Sequence, residues 1–350
     1  MNLRRVMNVS LCAVFMLAVA GCGRSESSGG NRGTVEEKSS KRPVIGFSID
    51  TLAIERWQRD LDVFMAEAKE LGADVIVQNA GNSIEEQNRQ LLYLAGRGVD
   101  VVVVVAKDAR QVGDAVERIL AKNIPVISYD RLILDVPLTL YITIDSTQVG
   151  YIMGQGMKGR TDKKKWSCIL GPREDNNMSM ILNGLRSAIS DGGIVLDEIY
   201  YTDGWNYDLS HQLMVDLITQ DRIPDVIICG NDAIADSTIL ALQQYRPGYN
   251  VHICGQDADI AACQNIVRGL QDFTVYKPIT DLAKKAAEYA VYLAEGKTVD
   301  DGPDKITSID NGYGDIPALM LYPRLVDKSN IDEVVIGSGF HTRGEVYLAQ

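Results

Sequence analysis

"VDVVVVVA", Val99–Ala106, carries five consecutive valines, Val101–Val105. A stretch that is apolar at every position suits a strand covered on both faces, as in a parallel sheet packed between helices. Its flanks support that reading. Ile84–Arg97 before it and Ala109–Lys122 after it have the periodicity of amphipathic helices, and Ser83 with Glu86 has the spacing of a capping box. The alternation extends outward from Pro43, through "PVIGFSI", "ADVIVQ", "IPVISY", "LYITI", "SCILG", "IVLDEIYY", "PDVIICG", "NVHICG" and "DFTVY". Short apolar runs separated by helical stretches indicate a doubly wound α/β fold. These units outnumber what one sheet of usual size takes, so two similar lobes is the economical arrangement.

The chain has 350 residues, 46% of them hydrophobic, which is enough for two domains with real cores. Its formal net charge is −12, and an acidic chain without a long basic cluster argues against nucleic acid. The locally basic "DKKKW", Asp162–Trp166, reads as a solvated turn. Ahead of the alternation, Arg4 and Arg5 precede "VSLCAVFMLAVA", an apolar run too short for a comfortable membrane span. The run ends in "VAGC", Val19–Cys22, which resembles the lipobox of bacterial lipoproteins. That resemblance implies a signal over residues 1–21, removed on maturation, and a lipid on Cys22. Residues 22–42 are polar, Gly/Ser-rich and charged, as in a flexible tether. Of the other cysteines, Cys12 falls in the signal. Cys168, Cys229 and Cys254 lie in apolar runs and read, with Cys263, as buried free thiols, although a disulfide among these four is not excluded.

In open parallel sheets, ligands bind beyond the carboxyl ends of the strands. Asp50 and then Arg56–Trp57 follow the first apolar run, and Asp130–Arg131 follow "IPVISY". "SCILG" leads to Asp175–Asn176–Asn177, "IVLDEIYY" to Trp205, "DVIICG" to Asn231–Asp232, "VHICG" to Asp257 and Asp259, and "DFTVY" to Lys277. An Asp or Asn after a strand is usually the N-cap of the next helix, which suits Asp145, Asp232 and Asp259. Trp57 begins an apolar stripe with Leu61, Phe64, Ala68 and Leu71, so it could be plain core. Trp205 sits in "DGWNYD", where burial in a core is awkward. Taken together, carboxylates and amides match vicinal hydroxyls, Arg and Lys add charge-assisted donors, and two indoles cover the C–H faces of a flat polar ring. This is the chemistry of a monosaccharide site. Trp166, at the amino end of its strand, should lie away from it. Catalysis finds no support: His211, His252 and His341 stand beside no nucleophile and in no metal-ligand spacing. "GQGMKG", Gly154–Gly159, falls inside a helical stretch, where small residues pack, rather than after a strand as a dinucleotide fingerprint would. No catalytic residue, metal or cofactor is expected.

"IERWQRD", "SYDR", "EDNN", "DGW", "GNDA", "GQDAD" and "TVYKPI", in this order and spacing, resemble the sugar-binding proteins of bacterial ABC importers, and among them the D-xylose binders. These are type I periplasmic binding proteins, and the resemblance spans Pro43 to His341. It implies two Rossmann-like lobes, each a parallel sheet flanked by helices, joined by a three-segment hinge with sugar between them. The first lobe would comprise residues 43–144 and 279–310, with a helix from Ile279 to about Ile309. The second would comprise 145–278 and 311–341. Crossings would fall near Asp145, near Pro278 and in "IDNGYGD". The family's sugar contacts map onto Arg56, Trp57, Asp130 and Arg131 of the first lobe, and onto Asn177, Trp205, Asn231 and Asp257 of the second, with Lys277 at a crossing. Lys107, Asp108 and Thr51 depart from the family's pattern. The implied protein is a monomer outside the cytoplasm, held to a membrane by lipid. Its partners would be the membrane subunits of an ABC permease or, alternatively, a sensor kinase.

Overall fold

The computed structural model describes residues 42–348, so the expected signal, Cys22 and nearly all of the tether lie outside the described residues. Arg42, assigned to the tether, already belongs to the fold: its Nε donates to the Gly72 carbonyl at 3.0 Å and Nη1 lies 3.3 Å from Asp74. The first lobe begins β1 (Val44–Ile49), α1 (Glu55–Glu70), β2 (Asp74–Asn79), α2 (Ile84–Gly96), β3 (Val101–Val104), α3 (Gly113–Leu120), β4 (Val126–Tyr129) and β5 (Leu140–Ile144). The second runs α4 (Ser146–Lys158), β6 (Lys165–Leu170), α5 (Asn176–Ile189), β7 (Val195–Tyr201), α6 (Tyr207–Thr219), β8 (Val226–Cys229), α7 (Asp232–Tyr245), β9 (His252–Gln256), α8 (Ile260–Arg268) and β10 (Phe273–Tyr276). The chain then returns to the first lobe through α9 (Ile279–Ala294), β11 (Thr307–Asp310) and β12 (Asp315–Leu321), and ends in the second with β13 (Arg324–Val326) and α10 (Arg343–Tyr347).

The valine strand β3 is buried at every position, between β1 and β4 in a seven-stranded sheet ordered β11-β12-β5-β4-β3-β1-β2. The second sheet is ordered β13-β10-β9-β8-β6-β7. Each contains the same run of five parallel strands in the same order, β2-β1-β3-β4-β5 and β7-β6-β8-β9-β10. The likeness of the lobes is therefore topological, although no close repeat shows in the sequence. In each sheet the order reverses beside the first strand of its lobe, which opens a crevice at the carboxyl ends.

Three strands escaped the sequence reading, and they move one boundary. β12 pairs with β5 in parallel, Leu321 opposite Ile144, so residues 307–321 complete the first sheet. The last crossing is thus at Tyr322–Pro323 rather than in "IDNGYGD", and 311–321 belong to the first lobe. The signal was weak because β11 is largely exposed and polar, and Pro317 argues against a strand. Pro317 is tolerated because it lies just ahead of the stretch paired with β5, which begins at Ala318. The helix from Ile279 stops at Ala294, not near Ile309, where Gly296 takes φ 79°. Only half of the expected capping box forms. Ser83 Oγ accepts from Glu86 N, but the Glu86 carboxylate turns to Arg89 and Gln90.

Of the glycines in "GQGMKG", Gly154 packs on α5, where a Cβ would come 2.5 Å from that of Ala188, whereas Gly156 faces Leu325 and Phe273 of the sheet. A Cβ on Gly150 would come 1.9 Å from the Ile181 carbonyl oxygen, and one on Gly184 of α5 would come 1.9 Å from that of Thr147. Cys168, Cys229 and Cys254 are buried free thiols, and Cys263 is buried with its Sγ 3.5 Å from the Ala258 carbonyl. Among the described residues no helix is long and apolar enough to cross a membrane.

Candidate functional site

All the residues expected to contact ligand line one cavity between the lobes: Arg56, Trp57, Asp130, Arg131, Asn177, Trp205, Asn231, Asp257 and Lys277. Ile54, Asp175, Met178 and Gln256 complete its wall. The space is about 20 Å³, room for roughly one water, so a pyranose can enter only when the lobes part. A larger hollow, about 470 Å³, lies on the second lobe around Arg246–Val251. Its one charged side chain, Arg246, is exposed and paired with Asp221, so no buried polar groups converge there.

The cavity is built around two buried arginines. Arg56, on the first turn of α1, places Nη2 2.8 Å from Asp130 Oδ2 and 3.0 Å from Asp60 Oδ1, while Nη1 lies 3.6 Å from Asp257 Oδ1. Asp60 also accepts the Tyr129 hydroxyl. Arg131 is bracketed by Asp50 of its own lobe, at 2.6 Å from Nη1, and Asp175 of the other, at 2.7 Å from Nε. Lys277 Nζ stands 2.9 Å from Asp257. Burial opposes ionisation of Asp130, but Arg56, Lys277 and Arg131 together hold its carboxyl below the usual range. For Asp60 and Asp175 burial prevails over the neighbouring arginine and raises the carboxyl. Burial would also discharge Arg56, yet Asp130, Asp60 and Asp257 keep it firmly protonated.

The indoles come from opposite lobes. Trp57 is 2% exposed and packs in the same core cluster as Leu61, Phe64 and Ala68, while also lining the cavity. It is both the first rung of the stripe and part of the cavity wall, whereas Leu71, expected as the stripe's last member, is exposed at the C-cap of α1. The Arg56 guanidinium lies 4.2 Å from its ring centre. Trp205 is half-buried and follows Gly204 in a turn where both take left-handed backbone, φ 57° and 59°. Its ring lies against Gly171, where a Cβ would come within 2.4 Å. Trp166 is buried in the second-lobe core, bonded through Nε1 to the Lys163 carbonyl and away from the cavity.

Left-handed backbone recurs around the cavity at Asp130, φ 62°, and at the consecutive residues Asp257 and Ala258, φ 99° and 56°. Such non-glycine positions cost about 1–3 kcal/mol each and persist only where surroundings enforce them. The lobes also touch directly: Asn177 Nδ2 donates to Asp130 Oδ1 at 2.9 Å, and Asn82 Nδ2 to the Gly204 carbonyl at 3.2 Å. Buried atoms on the lining residues nevertheless lack hydrogen-bond partners, namely Arg56 Nε, Trp57 Nε1, Trp205 Nε1, Asn177 Oδ1 and Gln256 Oε1. Donors and acceptors buried together in this way suit a ligand that both gives and takes hydrogen bonds.

Asn231, not Asp232, caps α7: its Oδ1 accepts from Ile234 N at 3.0 Å, while its Nδ2 donates to the Tyr207 hydroxyl at 3.4 Å. Asp232 lies one position inside and is buried. It accepts from Thr274 Oγ1, Gln271 Nε2 and Asp259 N, and burial pushes its carboxyl up to about 8. Asp259 starts α8 without a side-chain cap bond, whereas Asp145 does cap α4 through Gln148 N. Asp175 stands among the polar residues after "SCILG" without being mapped to a contact, and Gln256 lies unnamed within "GQDAD"; both line the cavity. Asp60 could have been found from its i,i+4 spacing to Arg56, whereas Ile54 and Met178 carry no polar signal. Lys107, Asp108 and Thr51 are not among the lining residues. Among the described residues no group of three His, Cys, Asp or Glu is placed to hold a metal.

Residues 45–298 match the profile of a family described as "Periplasmic binding protein domain". Two D-xylose-binding periplasmic proteins, from Haemophilus influenzae and Escherichia coli, are each 35% identical to this chain over 313 and 312 residues. Each alignment covers 88% of this chain and 93% of the relative. The crystal structure of an ABC transporter solute binding protein from Clostridium phytofermentans with bound β-D-glucose superposes with a TM-score of 0.80. It is 25% identical, and the match covers 87% of this chain and 99% of that one.

Proposed function

Because this chain belongs to the periplasmic binding protein family, we propose that it captures a monosaccharide, D-xylose first among the candidates, between its two lobes and presents the closed form to the membrane subunits of an ABC importer. The reading is one of reversible binding by a monomer, without chemistry on the sugar. Its main support is the set of carboxylates, cations, amides and indoles that converge on one interlobe cavity with buried polar atoms still unpaired. A sugar touching both lobes binds the closed form better and so shifts the population toward it. Arg56, Asp130 and Trp57 would meet it from one side, and Asn177, Asn231, Asp257 and Trp205 from the other, with Lys277 and Arg131 adding donors.

Calorimetric titration with D-xylose, L-arabinose, D-ribose, D-glucose and D-galactose tests this directly. The tightest binding is expected for D-xylose, and heat from none of the five would sink the reading. Asp257→Ala should weaken the preferred sugar ten- to hundredfold, because a buried hydroxyl left unpaired costs roughly 1–3 kcal/mol. Wild-type affinity in that variant would remove Asp257 from the site. In-cell crosslinking should recover permease subunits with the sugar-loaded protein. Recovery of a sensor kinase instead would turn the role from import to sensing.

The proposed location follows from "VAGC". The mature chain would begin at a lipidated Cys22, with residues 22–42 as the tether. Cys22→Ser should release the protein from membranes or leave it unprocessed. Correct cleavage with continued membrane attachment would refute the lipid anchor.

A further inference from the structure

The left-handed pair Asp257–Ala258 is held in an unusual way. Residues of the adjacent strand do part of it: Asp257 N donates to the Val275 carbonyl at 3.0 Å and Ala258 N to the Thr274 side-chain Oγ1 at 3.3 Å. The Ala258 carbonyl, however, is met by two side chains, Cys263 Sγ at 3.5 Å and, from far along the chain, His341 Nε2 at 2.8 Å. A carbonyl only accepts, so Nε2 carries the proton. His341 is 5% exposed. The corresponding carbonyl of Asp130, the other left-handed carboxylate of the cavity, is held locally, by Tyr141 and Thr143 of β5.

The residue before His341 reaches the opposite lobe. The Phe340 carbonyl accepts from Arg59 Nη1 at 3.0 Å, and the Arg59 guanidinium lies 4.2 Å from the Phe340 ring centre. Arg59 is on α1, next to the turn that carries Arg56 and Trp57. Between these contacts is a space of only about 10 Å³, walled by Arg56, Arg59, Asp259, Ile279, Phe340 and His341. With so little slack, a shift of the first lobe against Phe340 is transmitted to His341 and so to the Asp257 turn.

We propose that Phe340 and His341 form a clasp in which His341 positions Asp257 for sugar and Phe340 ties that positioning to the approach of the first lobe. This rests on the sugar-binding reading above. His341 is not among the residues that line the cavity and acts as a positioning residue, not a ligand contact.

The test compares His341→Leu, His341→Gln and Phe340→Leu in the full chain. D-xylose affinity is read by calorimetry, backbone opening by amide hydrogen exchange without sugar, and folding by melting temperature. His341→Leu should weaken D-xylose about tenfold, the loss expected of one net hydrogen bond. It should also speed exchange at Asp257 and Ala258 while Val226–Cys229 of β8 stays protected. His341→Gln, whose amide can reach the same carbonyl, should recover to within about threefold. In an Asp257→Ala background His341→Leu should add almost nothing, since the two act as one unit. Phe340→Leu should weaken D-xylose without changing exchange at Asp257. A lower melting temperature with unchanged affinity and unchanged exchange at Asp257 and Ala258 would overturn the proposal, as would equal losses from Leu and Gln. If the wild type binds no aldose, the sugar reading alone fails, and exchange at Asp257 and Ala258 still decides whether His341 holds the turn.

Discussion

Arg56→Met should cost about 3–5 kcal/mol of folding stability and abolish measurable sugar binding, because it strips the shared cation from a set of buried carboxylates. Asp60, Asp130 and Asp257 all lie within 3.6 Å of its guanidinium. Methionine fills similar volume, so the loss is electrostatic rather than a packing defect. The pH dependence identifies the cause. Arg56 helps hold Asp130 below its ordinary 3.8, so in the wild type Asp130 contributes stability above that value, which is lost as pH falls through its lowered native pKa. Without Arg56 the buried carboxylates rise instead, and acid then favours the folded variant by neutralising them. The gap between wild type and variant, measured by urea unfolding, should therefore be widest near pH 7 and narrow toward pH 4. A gap of equal size at both would exclude uncompensated carboxylates as its origin.

Trp57→Ala should show two losses at once. Removing a large side chain that is 2% exposed within the first-lobe core should cost about 3–5 kcal/mol in unfolding free energy. The same truncation removes one wall of the cavity, so sugar affinity should fall more than tenfold, beyond the roughly 0.5–1.5 kcal/mol of aromatic contact alone. Trp57→Phe keeps an apolar face and should lose much less of both. Fluorescence supplies a second reading, since Trp57, Trp166 and Trp205 are the tryptophans of the chain. Trp166→Phe should leave the sugar-induced change intact, and the Trp57→Phe, Trp205→Phe double variant should remove most of it. A large stability loss in Trp57→Ala with an unchanged dissociation constant would reduce Trp57 to core.

Much of this architecture could be read from local pattern. Val101–Val105 announced a strand covered on both faces, and the residues mapped to ligand contacts after β1, β4, β6, β7, β8, β9 and β10 came to one cavity, because a parallel sheet brings its carboxyl ends to a common edge. Reading failed where partners are distant in sequence. β12 is recognisable as a strand only once β5 is beside it, and its Pro317 and the polar "TSID" of β11 point the other way. Asn231 and Asp232 illustrate a subtler limit. Either residue could cap α7, and the choice fell to Asn231 because Thr274, Gln271 and the Asp259 amide claim the carboxylate. Trp57 looked like a choice between stripe and site because a periodic pattern assigns a residue to a face, whereas a large ring at the edge of a core can reach two neighbours.

The crossing between the lobes has a mechanical meaning. β5 and β12 leave the first sheet side by side, with Ile144 opposite Leu321 and the Asp145 amide bonded to the Leu321 carbonyl at 2.9 Å. Two hydrogen-bonded strands form a ribbon, which flexes readily out of its own plane but resists shear and sideways bending, because those distort its cross-links. With the separate segment Lys277–Pro278, between β10 and α9, as a third attachment, the lobes are joined like a door on a leaf hinge rather than on a string. Such a joint favours one swing path, along which closing would bring Arg56 back to Asp257 and Asn177 back to Asp130, the contacts seen in this state.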